Sequence, residues 1–218
     1  MADSNRAAAA SALARLAATA ALPARGLFIA EAHQAAPTVT PEGEPRRGFA
    51  PYVGHGSGEF THLRRQVEIE RHDMWTVRAK DRLISRRGDT IHLRLGEDTT
   101  EQHIDPRATH EADWAFWAGD WFAELIEPHR IIGLLTDVTA AADSPETVLS
   151  ATPNRRTPSP YDGAAADHIT RLEITPETNA PRISRITGHH ADGQQDTYRL
   201  VEVHDTRDPK PSEQGNCF

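Results

Sequence analysis

The segment from Ala112 to Leu135, ADWAFWAGDWFAELIEPHRIIGLL, constrains the fold more than any other stretch, because it holds three of the chain's four tryptophans. Large apolar rings packed this densely have to be covered, so the rest of the chain must supply a surface for them. Trp114, Trp117 and Trp121 recur at i, i+3 and i+7, and Leu125 extends the row, which places all four on one face of a helix. Asp113, Asp120, Glu124 and Glu127 are interleaved with them. Asp120 and Glu124 share a face that reads as the solvated side of the helix rather than as an acid pair. Pro128 ends or kinks the helix, and Ile131, Ile132, Leu134 and Leu135 open a second apolar piece. The expectation is a single broken helix over 112–135.

The flanks have a different period. Leu27 to Ala32 reads as a first strand, and Leu63, Arg65, Val67 and Ile69 alternate with polar neighbours in a long strand over 60–71. Trp75 and Val77, then Leu83 and Ile84, then Ile91, Leu93 and Leu95 continue the pattern. The last third returns to strands at Ile169–Thr175, Arg182–Thr187 and Thr197–His204, with turns at 176–181 and 188–193. One apolar and one polar face per strand is the mark of an antiparallel sheet with one wet side. The apolar fraction is only 38%, which suits a sheet-dominated fold. Residues 96–111 read as polar and turn-rich, and 139–163 as a proline-rich loop. The four prolines between 37 and 51 imply a long irregular connection.

Ahead of the first strand, residues 1–22 read as a helix with Leu13 and Leu16 facing inward. Arg15 interrupts its alanine-rich run, so it is not read as a signal segment. No run of eighteen apolar residues occurs, so no transmembrane span is expected. As the sequence stands the protein reads as soluble and cytoplasmic, and as exported only if a signal segment lies outside this numbering. A net charge of −8 argues against a general nucleic-acid surface. The single cysteine, Cys217, permits no intramolecular disulfide. The domain is expected over 1–204, with a frayed tail at 205–218.

This order resembles the LolA-like half-barrel family, which includes bacterial lipoprotein carriers and actinobacterial glycolipid-binding lipoproteins. The resemblance sits in ALARLAATAALPARGLFIAEA at 12–32 and in the strand 60–71 followed by MWTVRA at 74–79. It continues in WFAELIEPHRIIGLL at 121–135 and in HITRLEITPETNAPRISRITGHHADGQQDTYRLVEVHD at 168–205. It implies an α+β, mostly β fold: a curved, unclosed antiparallel sheet with an N-terminal helix and a central helical lid. It also implies a non-enzymatic binding protein for a lipophilic small molecule or an acylated protein. Trp114, Trp117, Trp121, Phe122, Leu125 and Ile126 would form the lid side of the site. Val67, Ile69, Trp75, Val77, Ile91 and Leu93 would form the sheet side.

Two other readings stay open. One is an interaction or regulatory module of the same fold with a collapsed, dry core, contacting a protein partner through 37–58 or 139–163. The other is an enzyme using histidine and carboxylate. The sequence offers little for the latter: there is no GxSxG and no HExxH, and GHGSG at 54–58 lacks the lysine and helix of a phosphate loop. His189 and His190 are adjacent on a strand and so point to opposite faces, while His103, Asp105 and His110 have no regular metal spacing. No cofactor, metal or catalytic residue is therefore expected. Arg64, Arg65, Arg71, Arg78, Arg82, Arg86 and Arg87 make a locally basic region, explained by an acidic partner or by paired surface charge.

Overall fold

A computed structural model describes residues 2–34, 62–80, 82–105, 109–119, 121–140, 147–154, 169–190 and 195–206. The connection 37–58, the GHGSG run and Cys217 lie outside them. Helix α1 (Ala2–Ala18) leads through a 3₁₀ turn into β1 (Gly26–Gln34). There follow β2 (His62–Arg71), β3 (Met74–Ala79), β4 (Arg82–Arg87), β5 (Thr90–Leu95) and β6 (Asp98–His103). Three short helices, α2 (Trp114–Ala118), α3 (Phe122–Ile126) and α4 (His129–Ile132), occupy the middle of the chain. The remaining strands are β7 (Leu135–Ala140), β8 (Leu149–Pro153), β9 (Ile169–Pro176), β10 (Ile183–His190) and β11 (Gln195–Asp205).

All eleven strands form one antiparallel sheet in the order β6-β5-β4-β3-β2-β1-β11-β10-β9-β8-β7. Each half is a meander of neighbours in sequence, and the pairing of β1 with β11 joins the two halves. The end strands β6 and β7 do not pair with each other, so the sheet stays open. Register shifts leave an extra residue on β2, β7, β9, β10 and β11. An extra residue of this kind bends its strand and sharpens the local twist, and so helps to curve a large sheet. Gly26 sits where β1 meets β11, at φ +132°, and a Cβ there would lie 2.1 Å from the His204 carbonyl oxygen. Only glycine fits that approach.

The inner face is built in rows across the strands. Phe28, Val67, Val77, Ile84 and Leu93 pair in succession, as do Gly26, Ile69, Trp75, Arg86 and Ile91. Of the three short helices, α2 packs against β3 in these rows and α3 against β10 and β11, while α1 packs on β7 and on α4, which also meets α3. Leu16 is buried and Leu13 packs against the core, the inward face expected of α1.

Four local expectations give way. The single broken helix becomes three, because Gly119 takes φ +69° and interrupts the chain well before Pro128. The polar stretch 96–111 contains β6, and the loop 139–163 contains the end of β7 and all of β8. Both sequences lack an inward apolar period long enough to mark a strand. The turn placed at 188–193 starts later, since β10 runs through His190.

Candidate functional site

The candidate site lies where the helical cover meets the sheet. Trp114, Trp121, Phe122, Leu125, Ile126, Val67, Ile69, Trp75, Val77 and Ile91 are all buried in one apolar cluster, and Trp117 and Leu93 pack against it. The twelve residues singled out from the sequence are thus brought together. Phe122 meets Tyr198 edge-to-face at 5.5 Å between ring centroids, and the Arg65 guanidinium lies 5.4 Å from its ring centroid. Sequence reasoning missed Tyr198, Ile84, Ile186 and Leu172, which complete this layer. Their alternation along β4, β9, β10 and β11 was the available signal.

The acidic residues of the cover behave differently from expectation. Asp120 lies outside the described residues. Glu124 is 1% exposed rather than solvated, because every residue from 121 to 128 is enclosed. Arg65 is also buried, with its Nε donating to the Ala118 carbonyl at 3.3 Å. The basic region of β2–β4 is therefore not one patch. Arg64 pairs with Glu31, Arg71 with Asp73 and Arg87 with Glu70.

One end of the cover is fastened by a polar network that centres on Arg130. Its Nη1 donates to Asp113 at 2.7 Å and its Nε to Glu127 at 2.6 Å, and its guanidinium lies 5.5 Å from the Trp114 ring centroid. Burial alone would lower the Arg130 pKa, but the charges of Glu127 and Asp113 outweigh it and hold the group above the ordinary arginine value. Asp113 also caps α2 by accepting from the Ala115 N–H at 3.1 Å, and Glu127 accepts from the Ala24 N–H at 3.0 Å. The network thus joins α2, α4 and the segment ahead of β1. Glu127 and Arg130 at i, i+3 were its only sequence signal. On the sheet side, Trp75 Nε1 and Arg86 Nη1 both donate to the Ala112 carbonyl, at 3.2 and 2.7 Å.

A cleft of about 690 Å³ opens beside this network. Buried Ala24, Ile69, Trp114 and Glu127 line it with the half-buried Arg86, Asp113 and Arg130, and exposed Pro23, Arg25, Glu70, Arg71 and His72 stand at its rim. Ile69 and Trp114 are the two members of the expected site that reach it. The Arg86 guanidinium makes its hydrogen bonds to the neutral carbonyls of Gly88, His72 and Ala112.

No protein-family model matches the sequence, and no curated protein is detectably similar to it. Solved structures show distant similarity to it. Lipoprotein LppX of Mycobacterium tuberculosis is 9% identical over 88% of this chain and 96% of its own, with a TM-score of 0.43. The architecture is a half-barrel of the α+β class, mostly β. Its marks are in the chain itself: an N-terminal helix, an open antiparallel sheet and mid-chain helices in the concavity. A LolA superfamily protein of Nitrosomonas europaea is 10% identical over 89% of this chain and 92% of its own, with a TM-score of 0.32. MucB of Pseudomonas aeruginosa, in complex with MucA, is 13% identical with a TM-score of 0.39, and the match spans 93% of this chain but 59% of the other. No helix among the described residues is long and apolar enough to cross a membrane.

Proposed function

We propose that this protein binds a lipophilic molecule, a lipid or an acylated protein, between its open sheet and its helical cover, without catalysing a reaction. The observation that supports this reading is the apolar layer between Trp75, Val77 and Ile91 on the sheet and Trp114, Phe122 and Leu125 on the cover, with a cleft at its edge. The side chains under the cover are buried in one apolar cluster, so an acyl chain enters as cover and sheet separate. Gly119 and Pro128, which stand between the three short helices of the cover, are the joints for that movement. Each methylene transferred from water contributes about 0.8 kcal/mol, so part of an acyl tail is enough for useful affinity. The arginines on the cleft rim suit an anionic headgroup at the wet end of such a ligand.

Native mass spectrometry of the protein from its own source, followed by organic extraction, tests this. A co-purifying lipophilic mass is expected, together with a change in tryptophan fluorescence on adding acyl lipids, and both should be lost in a folded Trp117→Ala/Trp121→Ala variant. A clean apo mass with no fluorescence response overturns the proposal. The burial of these side chains in one apolar cluster favours a second reading, an interaction module with a permanently dry core. For that module, deleting 37–58, which removes none of the described strands, abolishes partner capture while lipid has no effect.

A further inference from the structure

The outer face of the sheet carries an arrangement that the lipid reading does not use. Along β1, Ala30 and Ala32 point into the core, so Glu31 and His33 project from the opposite face. His62 on β2 is the cross-strand partner of His33, while Glu31 sits between Arg64 on β2 and Arg199 on β11. The two imidazoles stack with centroids 4.4 Å apart and planes 28° from parallel. Both direct Nε2 at one carboxylate oxygen: Glu31 Oε2 is 3.4 Å from His33 and 3.9 Å from His62. The three ligand atoms all lie within 4.8 Å of one another.

We propose that Glu31, His33 and His62 form a surface site for a divalent transition-metal ion of the zinc or copper type. Metal–nitrogen and metal–oxygen bonds of about 2.0–2.1 Å around a tetrahedral ion put neighbouring ligand atoms about 3.3 Å apart. The spacing from Glu31 to His33 already matches that edge, and small side-chain rotations close the others. Two imidazoles and one carboxylate are the ligand set that borderline metal ions select, whereas calcium and magnesium require more oxygen donors. Arg64 Nη1 holds the other carboxylate oxygen, Oε1, at 2.7 Å and so orients Oε2 toward the rings, which is the usual service of an outer partner to a metal-ligating carboxylate. Burial opposes ionisation of Glu31, but hydrogen bonds from His33, Arg199 and Arg64 outweigh it and hold the carboxyl below the ordinary value, as an anion. Arg199 Nη2 approaches Oε2 at 3.4 Å and competes with the ion. Its side chain is 54% exposed, and it yields by rotating into solvent.

Such an ion ties β1 to β2 from the wet side and keeps one coordination position open to solvent. Three protein ligands with an exposed fourth position give moderate affinity, so the expected dissociation constant is about 1–10 µM, measured by competing Zn²⁺ from a chromophoric chelator with the full chain. His33→Ala, His62→Ala and Glu31→Gln each weaken this site about tenfold or more, whereas His189→Ala on β10 does not. The two histidines are about half exposed while Glu31 is largely covered, and circular dichroism verifies that each variant is folded. Electron paramagnetic resonance of the Cu²⁺-loaded wild type reads the site independently of any variant and should show nitrogen coupling from two imidazoles. Zinc binding that is unchanged in the His33→Ala/His62→Ala protein, no saturable binding below about 100 µM, or a copper spectrum without two-nitrogen coupling overturns the proposal. None of these readouts depends on lipid, so the two proposals fail separately.

Discussion

Arg130→Met is the substitution that best tests how the cover is held. Methionine keeps apolar volume against Trp114 but removes three hydrogen bonds to carboxylates, two on Asp113 and one on Glu127. The two acids respond unequally. The Asp113 side chain is 37% exposed and rehydrates, so its loss is worth less than about 1 kcal/mol. The Glu127 side chain is 8% exposed and keeps the Ala24 N–H as its remaining partner in this network. Removing one member of a buried ion pair costs about 3–5 kcal/mol, chiefly because a charge is stranded. Arg130 is itself 27% exposed, which lets some water in and puts the expectation at the low end, about 3 kcal/mol. With a urea slope of about 2–3 kcal/mol/M, the midpoint falls by about 1–1.5 M. Tryptophan fluorescence is the natural probe, since Trp114 lies under the substituted side chain. Adding Glu127→Gln removes the stranded charge, so the double variant should recover about 2 kcal/mol of the loss. A single-variant loss below about 1 kcal/mol, or a double variant no better than the single, would refute the reasoning and make the network a surface ornament.

Three further outcomes follow from the packing. Gly26→Ala forces a Cβ toward the His204 carbonyl at an unfavourable φ, and thermal unfolding should show a loss of at least about 3 kcal/mol or no folded protein. A melting temperature within a few degrees of wild type would mean that β1 and β11 are not in this register. Phe122→Ala removes a fully buried ring against Tyr198 and should cost about 3–5 kcal/mol in chemical denaturation, and a smaller value would point to a loosely held cover. Strand β6 is exposed along its whole length at the edge of the sheet, so its amides should exchange with solvent far faster than those of β1, which is bonded on both sides. Equal protection in hydrogen exchange would argue that something covers β6 in solution.

Much of this fold is legible locally. In HLRRQVEIER the alternation places Leu63, Val67 and Ile69 inward, as found, and the period of α1 places Leu16 inward, because side-chain direction along one element depends only on its own backbone repeat. The aromatic segment announced a cover for the same reason: so much apolar area cannot stay in water. Strand β6, DTTEQH, escaped notice because an edge strand with both faces wet has no hydrophobic period to read. The short β8 lay in a proline-rich context that reads as loop.

What only the tertiary structure decided is which faces meet. Periodicity marks Glu124 as polar and hence outward, yet a helix enclosed in a concave sheet has no outward side, and Glu124 is buried with the rest of α3. Arg65 follows the inward rhythm of β2 although it is charged, and its neighbours Phe122 and Ala118 come from a distant part of the chain. The Asp113–Glu127–Arg130 network, the cleft beside it and the Glu31–His33–His62 cluster all depend on contacts between elements far apart in sequence. Local patterning determined that there would be strands, a first helix and an apolar cover. The pairing of β1 with β2 on one side and β11 on the other decided which charges and imidazoles stand together, since long-range register is set by the closing of the whole sheet and by no single segment of it.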